Sequence, residues 1–130
     1  MKTMFEKVWD RHVVVPETAD TPAVLFIDLH LTHEVTSPQA FQLLRERNLK
    51  VRRPDLTLAT MDYSTPTRTE QVFGGAPFTI ESAARQVHQL EKNCAEFGIE
   101  LLGMRHELRG IVHIIGPELG AFTLIVFAIG

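Results

Sequence analysis

The 130-residue chain has one cysteine, Cys94, together with one tyrosine and one tryptophan. A lone cysteine excludes any disulfide within the chain and suits a reducing, cytoplasmic setting. Charge of one sign is also missing: 13 basic against 16 acidic side chains leave a net charge of −3. That balance points away from nucleic acid, anionic membranes and strongly basic partners. The apolar runs fall well short of the roughly 20 residues that span a bilayer. The N-terminus carries neither an apolar signal core nor a small-residue cleavage site. Gly74-Gly75 lacks the lysine and Ser/Thr that a phosphate loop needs. There is no internal repeat and no low-complexity tract, so residues 1–130 read as a single domain.

What is present is a regular alternation of elements. Thr3-Met4-Phe5-Glu6 forms a capping-box pattern. Met4, Phe5, Val8, Trp9 and His12 then recur at helical spacing up to Val13. Residues 16–22 hold two prolines and two acids and read as a loop. Ala23 to Leu29 is a short apolar run, expected as a buried strand. Ser37 as cap and Pro38 as first residue open a second helix, with Ala40, Phe41, Leu43 and Leu44 on its buried side and Asn48 as its stop. Leu56 to Met61 is a further strand with Asp62 at its carboxyl end. Tyr63 to Gly75 reads as loop. Thr79 caps a long helix whose inner face is Ile80, Ala83, Ala84, Val87, Leu90, Cys94 and Phe97, ended by Gly98. Ile99 to Leu102 and Ile111 to Ile115 are two more strands, the last containing His113. The pattern predicts an α/β fold with a largely parallel sheet and flanking helices. In such sheets the ligand crevice lies at the carboxyl ends of the strands, where Asp62, His30 and His33 fall.

Several residues carry candidate chemistry. Asp28, His30, His33 and Glu34 crowd into seven positions and could ligate a metal, although no third ligand follows at a diagnostic spacing. Loop histidines with local hydrogen bonds are the plainer reading. Asp62-Tyr63 could share a proton as a buried carboxylate and phenol, or serve as a turn cap and a packed ring. His113 lies among apolar residues and is either a satisfied core histidine or an acid/base group facing the crevice. Cys94, on the buried helix face, reads as a small core residue. The basic cluster Arg45, Arg47, Lys50, Arg52 and Arg53 is either a solvated face or an anion-steering patch.

Four stretches then carry a resemblance. Phe26 to Phe41 (FIDLHLTHEVTSPQAF), Ala59 to Asp62 (ATMD), Lys92 to Gly98 (KNCAEFG) and Gly110 to Gly120 (GIVHIIGPELG) resemble, in order and spacing, the opening of the isopropylmalate isomerase large subunits, a family of aconitase-type hydro-lyases. The resemblance implies part of an aconitase-type N-terminal α/β domain. It implies interconversion of 2- and 3-isopropylmalate by removal and re-addition of water, in leucine biosynthesis. It further implies a [4Fe–4S] cluster acting as Lewis acid in the full-length enzyme, a small dicarboxylate substrate, and a separate small subunit that completes the site. Asp62 matches the Asp of an Asp-His pair, His113 matches a histidine that pairs with a later aspartate, and His33 sits where substrate-facing residues occur.

Two departures accompany the match. Tyr63 stands where the family has histidine, and a phenol with a reference pKa of about 10 donates a proton less readily at neutral pH than an imidazolium. After Gly120 the chain runs directly into Ala121-Phe122 and a closing Phe127-Ala128-Ile129-Gly130, as if a segment holding the partner of His113 were deleted. The family's cluster cysteines lie further on than this chain extends, so no cluster is expected on it and the chain alone is expected to be inactive. The apolar, uncharged stretch Ala121 to Ile129 is expected to self-associate or to pack across the sheet. Two other functions fit the residues less fully: a non-catalytic carboxylate-binding or subunit-contact module, and a small metal hydrolase built on His30, His33 and Asp62.

Overall fold

A computed structural model describes residues 1–73 and 80–119, and the backbone alone of Thr69 and of residues 125–127. Helix α1 (Met4–His12) starts on the expected capping box: the Thr3 hydroxyl accepts the Glu6 amide, and the Glu6 carboxylate accepts the Thr3 amide. The β-branched run that ends it becomes β1 (Val13–Val15), which pairs antiparallel with β2 (Val24–Leu25). The main sheet comprises β3 (Leu29–His33), β4 (Thr57–Thr60), β5 (Glu100–Leu102) and β6 (Ile125–Phe127), all parallel, in the order β5-β4-β3-β6. The parallel α/β expectation therefore holds.

Helices cover both faces of the sheet. α2 (Pro38–Glu46) and α4 (Glu81–Phe97) pack on one face, where Phe41, Ala59, Met61, Val87, Leu90, Cys94 and Ile99 form a core. α5 (Val112–Leu119) covers the other, where Val112 and Ile115 meet Leu31, Leu58 and Leu102. Leu58 and Ala59 belong to opposite cores because successive strand residues face opposite ways. A short helix, α3 (Thr69–Phe73), follows β4. The chain steps from β3 to β4 to β5 in one direction and then returns to place β6 on the far side of β3. The strand order thus reverses at β3, which puts the ligand crevice at its carboxyl end.

Several expected elements are corrected. The strand expected at Ala23 to Leu29 is divided: Val24–Leu25 joins the small ribbon, and the sheet strand begins only at Leu29. Between them Asp28 is held by His12, and the Phe26 amide is given to the His12 carbonyl. The strand expected at Ile111 to Ile115 is helix α5, with Pro117 inside it. Val112 and Ile115 meet the sheet at an i, i+3 spacing, and this burial overrides the strand preference of the branched run. Ser37 is itself helical, and its hydroxyl donates to the His33 carbonyl instead of capping α2; Pro38 does occupy the first position. Of the residues expected on the buried side of α2, Phe41 is buried, whereas Ala40 and Leu43 are exposed. The expected loop from Tyr63 to Gly75 contains α3. Thr79 lies outside the described residues, and Ile80, expected inside, is exposed. Gly98 (φ +69°) ends α4 as expected, in the left-handed conformation that glycine adopts without strain. Residues 125–127 of the apolar C-terminal stretch join the sheet as its edge strand β6, paired with β3, and the remaining residues of the stretch lie outside the described ones.

Candidate active site

The carboxyl ends of β3 and β4 and the start of α5 meet at one place. Asp62, two residues past β4, is buried, and its Oδ2 accepts the Val112 amide at 3.0 Å. Val112 is the first residue of α5, so the carboxylate sits where a helix leaves amide donors unsatisfied and its dipole favours negative charge. The Thr60 hydroxyl, on the same strand, donates to the Gly110 carbonyl at 2.8 Å. These two bonds seat the loop before α5 against β4.

Glu34 organises the other side of the crevice. It is fully buried, and its two carboxylate oxygens accept the amides of Asp62 (2.9 Å) and Ser64 (2.5 Å). Both neighbours of Tyr63 are thereby tied to one carboxylate, and the Tyr63 side chain projects outward, 64% exposed. Its ring rests 5.2 Å from that of His33, tilted by 55°. His33 is buried at the end of β3. Its Nδ1 accepts the Val35 amide at 3.3 Å, which assigns the ring proton to Nε2, facing the Thr36 hydroxyl at 3.3 Å. A protein carboxylate, Glu34 Oε2, lies 4.0 Å from the same Nδ1; the amide's claim on the nitrogen lone pair is the closer contact.

His33, Asp62 and Tyr63 are therefore brought together. His113, the second residue of α5, follows the residue whose amide Asp62 holds, and it is exposed rather than set in a strand. Asp62 and Tyr63 do not form an acid pair: the carboxylate turns inward to α5, and the phenol turns outward onto His33. His30 and His33 lie on opposite faces of β3, as an i, i+3 spacing in a strand dictates, so they cannot share a metal with Asp62. Among the described residues no three His, Cys, Asp or Glu side chains are grouped as for a metal ion. Glu34, read in the sequence only as one carboxylate of a possible ligand cluster, instead fixes the backbone of the crevice. Its signals were its place in that cluster and in the stretch Phe26 to Phe41 that carries the resemblance. Thr60 and Ser64 gave none.

The aconitase family (aconitate hydratase) matches residues 6–130. The chain belongs to the aconitase family. It is 62% identical over 119 residues to the 3-isopropylmalate dehydratase large subunit of Roseiflexus castenholzii, and 59% identical over 120 residues to that of Anaeromyxobacter dehalogenans. It is 53% identical over 119 residues to that of Oceanobacillus iheyensis. Each match takes in 92% of this chain and 24–25% of the relative, so the chain spans about a quarter of the length of the curated relatives it matches. No solved structure matches.

Membership implies a [4Fe–4S] cluster in a full-length enzyme. The residues of this chain do not fit that group. A cubane needs several thiolates, whereas Cys94 is the one thiol and lies buried on α4, in the core beneath α2, away from the crevice. Burial, and secondarily the charge of Glu91, pushes its pKa up to about 12, so it stays a thiol. Among the described residues, no helix is long and apolar enough to cross a membrane.

Proposed function

We propose that this chain forms the N-terminal wall of the large subunit of a 3-isopropylmalate dehydratase, a hydro-lyase acting in the cytoplasm with a small-subunit partner on a small dicarboxylate in leucine biosynthesis. The observation that carries the reading is the buried Asp62 carboxylate, held at the strand-order reversal by the Val112 amide and by the Glu34 grip on its own backbone. A carboxylate fixed in this way, in a crevice where Glu34 also adjoins His33, can hold or pass the proton of a departing hydroxyl. His33 presents Nε2–H as a donor for a substrate oxygen in place of the Thr36 hydroxyl. His113, exposed at the start of α5, is read as a second proton-handling group. Tyr63, in the position of a histidine in the resemblance, offers a phenol instead. The cluster chemistry, electrophilic activation of the hydroxyl and carboxylate, belongs to parts of the relatives' length that this chain does not span.

The test is a chimera. Residues 6–119 replace the matching quarter of the Roseiflexus castenholzii large subunit, and conversion of 2- to 3-isopropylmalate is measured with its small subunit. Turnover that is lost on Asp62→Asn, with folding retained, supports the reading. A folded, cluster-loaded chimera whose turnover ignores Asp62 sinks it.

A further inference from the structure

The end of the sheet opposite the crevice holds a separate cavity of about 580 Å³ between β2, the start of β3, the segment 51–53 and the turn at Leu56. That volume is within the range of small-molecule sites, about 300–1,000 Å³. Its walls are largely apolar, with Leu25, Ile27, Val51 and Leu56 among them. His30 supplies a polar group. It is registered with Thr57 across β3 and β4, whereas His33 is registered with Thr60. Three strand residues, about 10 Å, therefore separate this cavity from the crevice.

Charge at the rim is unbalanced. Arg53 also lines the cavity, but Asp55 engages its guanidinium through both carboxylate oxygens, at 2.6–3.2 Å. Of the basic cluster singled out in the sequence, Arg45 is likewise consumed, by Glu96 and Asn93. Arg52 lines the cavity and has no ion pair among the described residues. Residues 74–79, 120–124 and 128–130 add no acidic side chain to the sequence that could neutralise it. Burial lowers the pKa of His30, which keeps its imidazole neutral and so gives the cavity one donor and one acceptor without a second charge.

From the apolar walls and the single unpaired guanidinium at the rim, we infer that this cavity is a second ligand site, which takes a small monocarboxylate with a branched or linear apolar tail. The tail lies against Leu25, Val51 and Leu56, and the carboxylate meets Arg52, whose fork suits two parallel N–H···O bonds. Nothing in this assignment depends on the hydro-lyase reading.

The experiment is an NMR titration of the whole chain with isovalerate, and separately with isovaleramide as its neutral isostere. Saturable shifts are expected at the His30 ring and the Val51 amide, with the His33 and Tyr63 signals unmoved. The amide should bind several-fold more weakly, and Arg52→Ala should raise the isovalerate Kd about tenfold, whereas Arg47→Ala, outside the cavity, leaves it unchanged. Arg52 and Arg47 are both exposed, so neither variant threatens the fold. Equal affinity for acid and amide, an unchanged Kd in Arg52→Ala, shifts centred on His33, or no saturable shift at tens of millimolar each overturns the assignment.

Discussion

Glu34 accepts the backbone amide of Asp62 at 2.9 Å across 28 positions of chain, and it does so with its carboxylate wholly out of water. The end of one strand thereby sets the geometry at the end of its neighbour. A buried charge is tolerated there because each of its oxygens receives an amide proton.

Glu34→Ala leaves the buried Asp62 amide and the partly buried Ser64 amide without an acceptor and is expected to cost roughly 2–5 kcal/mol. Glu34→Gln keeps one carbonyl oxygen and should cost less. Urea unfolding measures both. Amide exchange localises the loss: Asp62 and Ser64 should lose protection before the rest of β4. Equal stability of both variants and wild type would remove the clamp from the account.

Asp62→Ala takes the acceptor from the first amide of α5 and should destabilise by about 0.5–2 kcal/mol, the scale of a lost helix cap. Asp62→Asn keeps an acceptor without the charge, so its folding cost is smaller. In the chimeric enzyme the same Asn variant should lose turnover by about 10²-fold or more. The contrast between small folding and large catalytic effects is the readout.

Tyr63→His should be nearly neutral for folding, within about 0.5 kcal/mol, because the ring is exposed. In the chimera it puts an imidazole against His33, at the position where the resemblance has histidine, and kcat should rise by about 10²-fold or more. Tyr63→Phe then distinguishes the hydroxyl from the ring: unchanged turnover would mean that the phenol transfers no proton.

His12 gives a pH dependence of defined sign. Its Nδ1 faces the Val8 carbonyl and its Nε2 faces Asp28 Oδ2, each at 2.5 Å. The Val8 bond first, and Asp28 with it, raise the pKa against the opposing effects of burial and Arg11. A group raised in the folded state contributes its stability fully below the unfolded value, near 6.5, and loses it as pH climbs through the folded value. Docking of α1 should therefore weaken as pH rises above the unfolded value of about 6.5. Helix amide exchange between pH 6 and pH 9 checks this, and His12→Gln should flatten the profile.

Cys94 should resist iodoacetamide at pH 8 at a rate set by unfolding, since it is 3% exposed and its thiol is held near pKa 12. Modification at the rate of a free thiol in folded protein would contradict its placement in the core.

The sequence was most legible where local chemistry and tertiary burial agree. The Thr3–Glu6 box, Pro38 at the start of α2, Gly98 after α4 and the apolar stripe of α4 through Val87, Leu90 and Cys94 are all local signals that packing reinforces. The strand-rich spelling of Ile111 to Ile115 misled because its conformation is decided elsewhere, by Asp62 on its first helical amide and by Leu31 and Leu58 beneath it. The division of the Ala23 to Leu29 run has the same origin: His12, far back in the chain, holds Asp28. Within the crevice Asp62 was legible from its place after β4, since strand ends are where such sheets put their chemistry. The divergence of Asp62 and Tyr63 was not, because Glu34 imposes it from another strand.

His12 ties the end of α1 to the segment that leads into β3. His12 gives its ring to Asp28 and its carbonyl to the Phe26 amide. Such a joint makes the N-terminal arm a unit that opens by itself, at a lower free energy than the four-stranded sheet. A protease acting on the folded chain will therefore make its first cut within residues 16–22, between the two strands of the ribbon, and leave a resistant core that begins near Asp28.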